Sequence, residues 1–325
     1  MSLSDTAALL LAAMLLDAVI GDPRWLYRII PHPTVVMGRA LSFCDRLFNR
    51  AESGSMTRRV AGAVSTLAVV LSFGALGVLV SAALSRGWGG FWLEAFLASV
   101  LIAQNSLYRH VADVATALER GGVESGRDAV AHVVGRDPES LDLHGVARSA
   151  VESLAENFND GVVAPVLWGL LFGFPGIVAY KALNTADSMI GHLDSRYRDF
   201  GWAAARLDDV ANWLPARVAG VLLAASGGQW GVRRVAHALG IMRRDGGAHR
   251  SVNAGYPEGA MAGALDLRLA GPRRYKGVVT ADPWLGEGTA AATENDIRRG
   301  LRVYVGACLL LAVLVGVPWV AGAER

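Results

Sequence analysis

From Val60 to Ser85 the chain runs for 26 residues without a charged side chain. About 20 apolar residues suffice for a helix to cross the hydrocarbon core, and a helix satisfies its own backbone hydrogen bonds there. A membrane span is therefore the first element any fold of this chain must contain. Val303–Gly322 is a second uncharged stretch, of 20 residues. Leu3–Ile20 is apolar apart from Asp5 and Asp17. No base precedes it and no small-residue cleavage site follows before Gly21, which favours a retained helix over a signal peptide. Phe91–Leu107 is a weaker span interrupted by Glu94, with Trp88, Trp92 and Tyr108 placed as interface anchors.

Two more apolar runs are less regular. Gly161–Tyr180 is uncharged but carries Pro165, Gly173, Pro175 and Gly176. A helix so interrupted reads as a broken or re-entrant segment, which is tolerated only inside a bundle or beside a cavity. Val218–Val232 is too short to cross unless Val210–Pro215 contributes. The expected fold is all-α: a polytopic membrane helical protein with four or more spans, broken or re-entrant segments and cytoplasmic amphipathic helices. It is read as one integral membrane domain over residues 1–325. Composition agrees, with 53% apolar and 18% charged residues against about 45–50% and 25% in soluble domains. Cys44 and Cys308 are far apart and have no metal or redox spacing. Lys181 and Lys276 are the only lysines, every other base being arginine or histidine, and no nucleic-acid-binding motif is present.

The polar regions are 21–59, 109–160, 183–209 and 233–299. In the first, Pro23, Pro31 and Pro33 interrupt helix, which can resume over Val35–Phe48 with Arg39 and Arg46 on a wet face. In the second, Asp113–Arg120 reads as helix, Gly121-Gly122 stops it, and Gly126–Val134 restarts it before a turn at Arg136-Asp137-Pro138. Asp142–Glu156 reads as a helix at the membrane surface. The seven arginines of Gly21–Arg59 suggest that this region faces the cytoplasm, with both termini outside. If Gly161–Tyr180 and Val210–Val232 cross fully, 183–209 lies outside. If both are re-entrant, every polar region is cytoplasmic, and this second arrangement is slightly favoured.

Polar chemistry concentrates in five clusters: Asp22, His32 and Arg39; Glu152, Glu156, Asn157, Asn159 and Asp160; Asn184, Asp187, Ser188 and Asp194; Arg206, Asp208, Asp209 and Asn212; and Ser251, Asn253, Tyr256 and Glu258. Hard oxygen donors suit Mg²⁺ with phosphate oxygens, and arginine matches phosphate and carboxylate through paired bonds. No H-E-x-x-H, G-x-S-x-G, Walker P-loop or dinucleotide fingerprint occurs. Each cluster also has a plain structural reading. Asp208-Asp209 can be a surface pair, Asp22 a turn acid, His32 a loop hydrogen-bonder, and Glu156 and Asp160 a cap and turn. His132, His144, His237 and His249 have no ligand-like spacing and read as structural or surface groups. Asn253–Glu258 leads straight into a small-residue helix whose free N–H groups suit an anion.

At these residues the chain resembles the adenosylcobinamide-phosphate synthase (cobinamide synthase) family of cobalamin biosynthesis. The marks are L-L-D-A-V-I-G-D-P from Leu15, H-P at His32, G-R at Gly38, V-A-R-S-A-V-E-S-L-A-E-N from Val146 and D-G-V-V-A-P from Asp160. N-T-A-D-S-M-I-G follows from Asn184, then R-L-D-D-V-A-N-W-L-P-A-R from Arg206, S-V-N-A-G-Y-P-E from Ser251 and G-P-R-R-Y from Gly271. The resemblance implies an integral membrane enzyme with several helices, and the charge bias places its suspected site at the cytoplasmic face of the cell membrane. The resemblance also implies ATP- and Mg²⁺-dependent amide ligation of (R)-1-aminopropan-2-ol, or its O-phosphate, to a propionate of the corrinoid adenosylcobyric acid. Departures are Ala186, His192-Leu193, Phe158-Asn159 and Gly259. Leu193 removes a family lysine, for which Arg196 or Arg198 could substitute.

On that reading Asp160, Asp187 and Asp194 are candidate Mg²⁺ ligands, and Glu258, Asp209 and Asp208 are candidate catalytic acids. Asp22, His32, Arg39, Glu156, Asn157, Asn184, Ser188, Arg206, Asn212, Asn253 and Tyr256 are candidates for binding substrate or phosphate. Expected partners are the two substrates and membrane lipid, with other cobalamin-pathway enzymes as further candidates and no nucleic acid. A transporter for a corrinoid or other anion, and a non-catalytic membrane sensor, are the alternatives.

Overall fold

The computed structural model describes residues 2–22, 26–84, 87–131, 138–275 and 278–323. Pro23, His132, the turn residues Arg136 and Asp137, and Lys276 lie outside the described residues. Among the described residues twelve α-helices follow one another: α1 (Leu3–Ile20), α2 (Pro33–Phe48), α3 (Ser55–Leu84), α4 (Gly87–Ser99), α5 (Gln104–Val130), α6 (Leu143–Phe158), α7 (Ala164–Ile190), α8 (Trp202–Ala211), α9 (Trp213–Ser226), α10 (Val232–Asp245), α11 (Gly255–Leu265) and α12 (Glu294–Ala323). Between α11 and α12 lie two small antiparallel ribbons that an all-helical reading does not anticipate. Strands β1 (Leu269–Ala270) and β4 (Trp284–Leu285) form one, and β2 (Arg273–Tyr275) and β3 (Val278–Thr280) the other.

The protein is an all-α polytopic membrane protein. Among the described residues four helical stretches are long and apolar enough to cross a bilayer: Leu3–Ile20, Ser55–Leu84, Leu143–Ile190 and Glu294–Gly322. On α3 the outward residues Val60, Val64, Leu67, Leu71 and Val78 are apolar, which suits a face turned to lipid. The expected span at Phe91–Leu107 is not formed as one helix. α4 ends at Ser99, after 13 residues, or about 20 Å at 1.5 Å per residue. Its Glu94 is buried and accepts a 2.7 Å hydrogen bond from Ser81 of α3.

The chain divides into two compact units, one of residues 1–103, 164–212 and 315–325, the other of 104–163 and 213–314. In the first, α1 packs on α4 and α7, while α3 packs on α2, α7 and α8. Leu41, Val69, Ile190 and Phe200 form a buried cluster there.

Helix α7 is not one rod. Gly173 has φ 68° and ψ −159°, a combination open essentially only to glycine, and the chain reverses there. Ala164 and Tyr180 meet in one buried cluster, although 16 residues of straight helix would separate them by about 24 Å. A Cβ placed on Gly169 would come within 2.8 Å of Ile177, so the two arms lie side by side. The stretch expected to be broken or re-entrant is thus a helical hairpin, and Leu143–Ile190 does not cross the membrane in a single pass. The return arm, 174–190, is about 25 Å long and runs antiparallel to α3. Its start meets α3 near Gly77, and Phe200, beyond its end, meets α3 near Gly62.

In the second unit α5 breaks at Gly122 (φ 65°), as the Gly121-Gly122 pair predicts. Helix α6, capped by Asp142 at Gly145 N, is buried on nearly every side and is not a surface helix. It continues through a π-helical turn, Asn159–Val163, in place of the expected Asn159-Asp160-Gly161 turn. Helices α9, α10 and α11 pack against one another, and α6 packs on α5 and α11.

Candidate functional site

In the first unit, the segment joining α1 to α2 builds a polar corner. His32 is the N-cap of α2: its Nδ1 accepts from the Thr34 N–H (3.3 Å) and lies 2.7 Å from the Thr34 hydroxyl. Both contacts donate to Nδ1, so the ring proton sits on Nε2, which faces an Asp22 oxygen at 3.8 Å. The same oxygen accepts from the Tyr27 hydroxyl at 3.2 Å, and the Tyr27 and His32 rings meet edge-on at 4.8 Å. Burial lowers the His32 pKa below its ordinary 6.5, with Lys181 adding to the effect and Asp22 opposing it. The imidazole is therefore neutral at pH 7. Burial and the Asp22 charge push Tyr27 well above the usual phenol range.

Arg39, Asn184 and Ser188 line an open cleft of about 550 Å³ between α2 and α7. Asp187 is half-buried on the same arm of α7. The polar stretch expected over 183–209 is mostly helical, with a true connection only at 191–201. Arg196 in that connection donates to the buried Asp45 carboxylate at 2.6 Å, while Arg59 and Ser55 bind Asp199 at 3.0 and 2.7 Å. The Asp45 partnership raises the Arg196 pKa. Asp194 accepts from the backbone N–H groups of Arg196 and Tyr197, both at 2.9 Å, and so caps a turn. On α8, adjacent acids face opposite ways. Asp209 lies outward, 3.3 Å from Arg206. Asp208 is buried and accepts from Asn212 at 2.9 Å, and Asn212 in turn accepts from the Tyr180 hydroxyl at 2.9 Å.

In the second unit, Ser251 Oγ accepts from the N–H groups of Asn253 and Ala254 (3.3 and 3.1 Å), shaping the turn into α11. Arg217 of α9 holds this turn. It donates to Asn253 Oδ1 at 3.0 Å and to Val252 O at 3.3 Å, and its guanidinium lies 3.8 Å from the Tyr256 ring centre. Glu258, in the first turn of α11, is 2% exposed. His249 Nδ1 accepts from the Ser251 N–H, which leaves Nε2 as the protonated nitrogen, 3.9 Å from the Glu258 carboxylate. Glu156 and Asn157 lie on α6, and Asn157 donates to the Ser153 carbonyl and hydroxyl at 2.9 Å. Asp160 accepts from Asn159 at 2.7 Å within the π turn, an irregularity common at functional sites. Glu152 is structural, accepting from Ala270 N at 2.7 Å.

The chain therefore gathers the expected residues as Asp22 with His32, Arg39 with Asn184 and Ser188, Asp208 with Asn212, Arg206 with Asp209, and Asn253 with Tyr256. Asp187 and Asp194 belong to the first unit and Asp160 to the second. Among the described residues no group of three His, Cys, Asp or Glu side chains is placed to hold an ion. Mg²⁺ commonly uses only one or two carboxylates and completes its shell with water and substrate phosphates. Four partners escape sequence reading: Tyr27, Lys181, Arg217 and His249. Arg217 ends the R-L-D-D-V-A-N-W-L-P-A-R run and could have been found there. His249 is nine residues before Glu258 in an irregular loop, where no periodicity links them.

Residues 10–304 match the family model described as CobD/Cbib protein. The chain belongs to the CobD/CbiB family. It is 49% identical to the "Cobalamin biosynthesis protein CobD" of a Sinorhizobium species, over 96% of this chain and 98% of that one. The protein of the same name from Rhizobium meliloti is 46% identical over 95% of each chain. That of Rhodobacter capsulatus is 42% identical over 95% of this chain and 96% of its own. No solved structure matches the chain significantly. The CobD/CbiB match spans residues of both compact units, so the family framework is the whole helical assembly and not one half of it.

Proposed function

We propose that this CobD/CbiB chain is a membrane enzyme of cobalamin biosynthesis. It joins (R)-1-aminopropan-2-ol or its O-phosphate to a propionate of adenosylcobyric acid, consuming ATP with Mg²⁺ at the cytoplasmic face. Family membership supports the pathway, and the observation that carries the chemistry is the buried pair of His249 and Glu258 at the start of α11. An amine becomes a nucleophile only after losing a proton, and a carboxylate out of water is a stronger base than one in water. Glu258 is the group that takes that proton. His249 Nε2–H, facing the same carboxylate, orients it.

A carboxylate is a poor acyl donor because its leaving group would be oxide. Mg²⁺–ATP supplies the activation: a propionate oxygen takes the γ-phosphoryl group, ADP leaves, and the amine displaces phosphate from the carbonyl carbon. The chain's own residues position the reactants. Arg206 neutralises the charge of the transferred phosphoryl group, which is where most of the catalysis of such transfers lies. Asp187 of the first unit is a carboxylate suited to the metal, whereas Asp194 of the same unit already caps a turn with one oxygen. Asn253 and Tyr256, braced by Arg217, face substrate at the helix start, and Asp22, Glu156 and Asn157 are amide and hydroxyl binders.

The test is an assay of purified protein with adenosylcobyric acid, Mg²⁺–ATP and each amino alcohol, following corrinoid amide and released nucleotide together. Stoichiometric formation of both is expected. Nucleotide-independent movement of corrinoid across vesicles, with no amide formed, would replace this reading by a transporter.

A further inference from the structure

We propose that the cleft between α2 and α7 binds the phosphate of a small phosphate monoester, and that Lys181 is its principal cation. Two helix faces meet there. Thr34, Gly38 and Ser42 lie four residues apart along α2, and Lys181, Asn184 and Ser188 recur at helical spacing along α7, all lining one cavity of about 550 Å³. That volume lies within the range of about 300–1,000 Å³ usual for small-ligand sites. Among the described residues its charged lining residues are Lys181 and Arg39, and no carboxylate lines it. The cleft is therefore built for an anion and not for a metal ion.

Lys181 is the one charged residue between Asp160 and Asp187. A cation placed in so apolar a helix is expensive and marks function more often than packing. The hydroxyls beside it are committed to the helix: Thr185 donates to the Lys181 carbonyl at 2.7 Å and Ser188 to the Asn184 carbonyl at 2.9 Å. Asn184 turns its Oδ1 towards the Lys181 ammonium at 3.4 Å, which directs its NH₂ elsewhere in the cleft. An ammonium, a guanidinium and an amide NH₂ together match the three non-ester oxygens of a phosphate monoester. At Gly38 the two helices approach closely, since a Cβ there would lie 2.8 Å from Met189 Sδ.

The identity of the ester rests on the proposed ligase reading, which makes the O-phosphate of the amino alcohol the natural occupant. Phosphate oxygens could also come from a nucleotide or a lipid headgroup, so the experiment separates these sources. Full-length protein in phosphate-free detergent is titrated with inorganic phosphate, the amino alcohol O-phosphate, the free amino alcohol, ATP without metal, and short-chain phosphatidic acid, and affinity is read by ³¹P line broadening or calorimetry. The O-phosphate is expected to bind most tightly. Lys181→Met and Arg39→Gln should each weaken it by about tenfold or more, Lys181→Arg should largely restore it, and the surface change Arg50→Gln should leave it unaltered.

Unchanged affinity in both Lys181→Met and Arg39→Gln overturns the proposal, as does binding of ATP, phosphatidic acid or the free amino alcohol that is tighter than that of the O-phosphate and is weakened by the same two substitutions. If Lys181→Met does not yield folded protein, Arg39→Gln and Lys181→Arg decide the same question. A wild-type protein that makes no corrinoid amide, yet loses phosphate affinity in these variants, refutes the ligase and leaves this site standing. An active ligase whose phosphate affinity ignores both substitutions refutes the site alone.

Discussion

Replacing Gly173 by alanine tests the reversal on which the first unit is built. The nearest atom to a new Cβ would be Pro175 Cδ at 3.7 Å, an ordinary van der Waals contact. The cost is therefore backbone strain alone, because φ 68° with ψ −159° is a region that a residue with a Cβ enters only at roughly 1–3 kcal/mol. That corresponds to about a 5–150-fold shift between competent and disrupted protein. Thermal inactivation in detergent should be correspondingly faster. Gly89→Ala is the control: it lies within α4, meets nothing within 4 Å, and should be neutral or slightly stabilising. The hairpin also dictates sidedness. Arg58 near the start of α3 reaches the Ser195 carbonyl at 3.4–3.5 Å, whereas α3 is 30 residues long, about 45 Å, and carries the chain across the bilayer. In a variant lacking Cys44 and Cys308, single cysteines at Ser53 and Ser195 should react from one side and one at Gly89 from the other. Gly173→Ala protein as durable as wild type, or Ser53 and Ser195 labelled from opposite sides, would refute the reversal.

Glu258→Gln should abolish amide formation while leaving ATP affinity intact, and His249→Asn should lower the rate less; wild-type turnover in Glu258→Gln removes the assigned base. Asn212→Ala deletes both the Tyr180 and the Asp208 hydrogen bonds and should cost about 1–3 kcal/mol, seen as a lower melting temperature; an unchanged melting point would show that this chain of bonds does not stabilise the unit. His32 has a pKa depressed below 6.5 by burial and Lys181, against the opposing charge of Asp22. The unfolded chain therefore takes up this proton first as pH falls, and stability should decline below about pH 6.5. His32→Asn, which keeps a cap, should flatten that decline, and an identical pH profile in the variant would show that His32 is not its source.

What can be read from the sequence divides by the range over which each signal acts. The absence of charge over Val60–Ser85 is a local property, and it yields α3 apart from its first five residues, Ser55–Arg59. The Gly121-Gly122 break and the cap at Asp142 are equally local. The glycines and prolines of 161–180 announce an interruption. Whether the chain bends slightly or reverses depends on contacts sixteen residues apart, such as Ala164 with Tyr180, and no window of residues contains them. Phe91–Leu107 fails for the opposite reason: hydropathy alone joins two segments that Val100–Ala103 separate.

The same distinction governs the chemistry. Acids and arginines stand out because charge is scarce in this chain, which is why Asp208, Asp209, Arg206 and Glu258 can be named from sequence. Their roles cannot, because i and i+1 on a helix face different surroundings: Asp208 is buried against Asn212, while Asp209 meets Arg206 at the surface. Spacing hides His249, and spacing is uninformative in a loop that folds its residues back on a helix start. Lys181 is conspicuous in sequence only as a rare residue. Its meaning comes from the partner face of α2, because a single cation on one helix is an expense, whereas a cation and a guanidinium facing each other across a cleft form a site. An anion there is held on one side by Lys181 and Asn184 of the return arm of α7. Gly173 thus acts on binding from the far end of that arm, and Gly173→Ala protein that survives purification should show weakened phosphate affinity with every cleft residue unchanged.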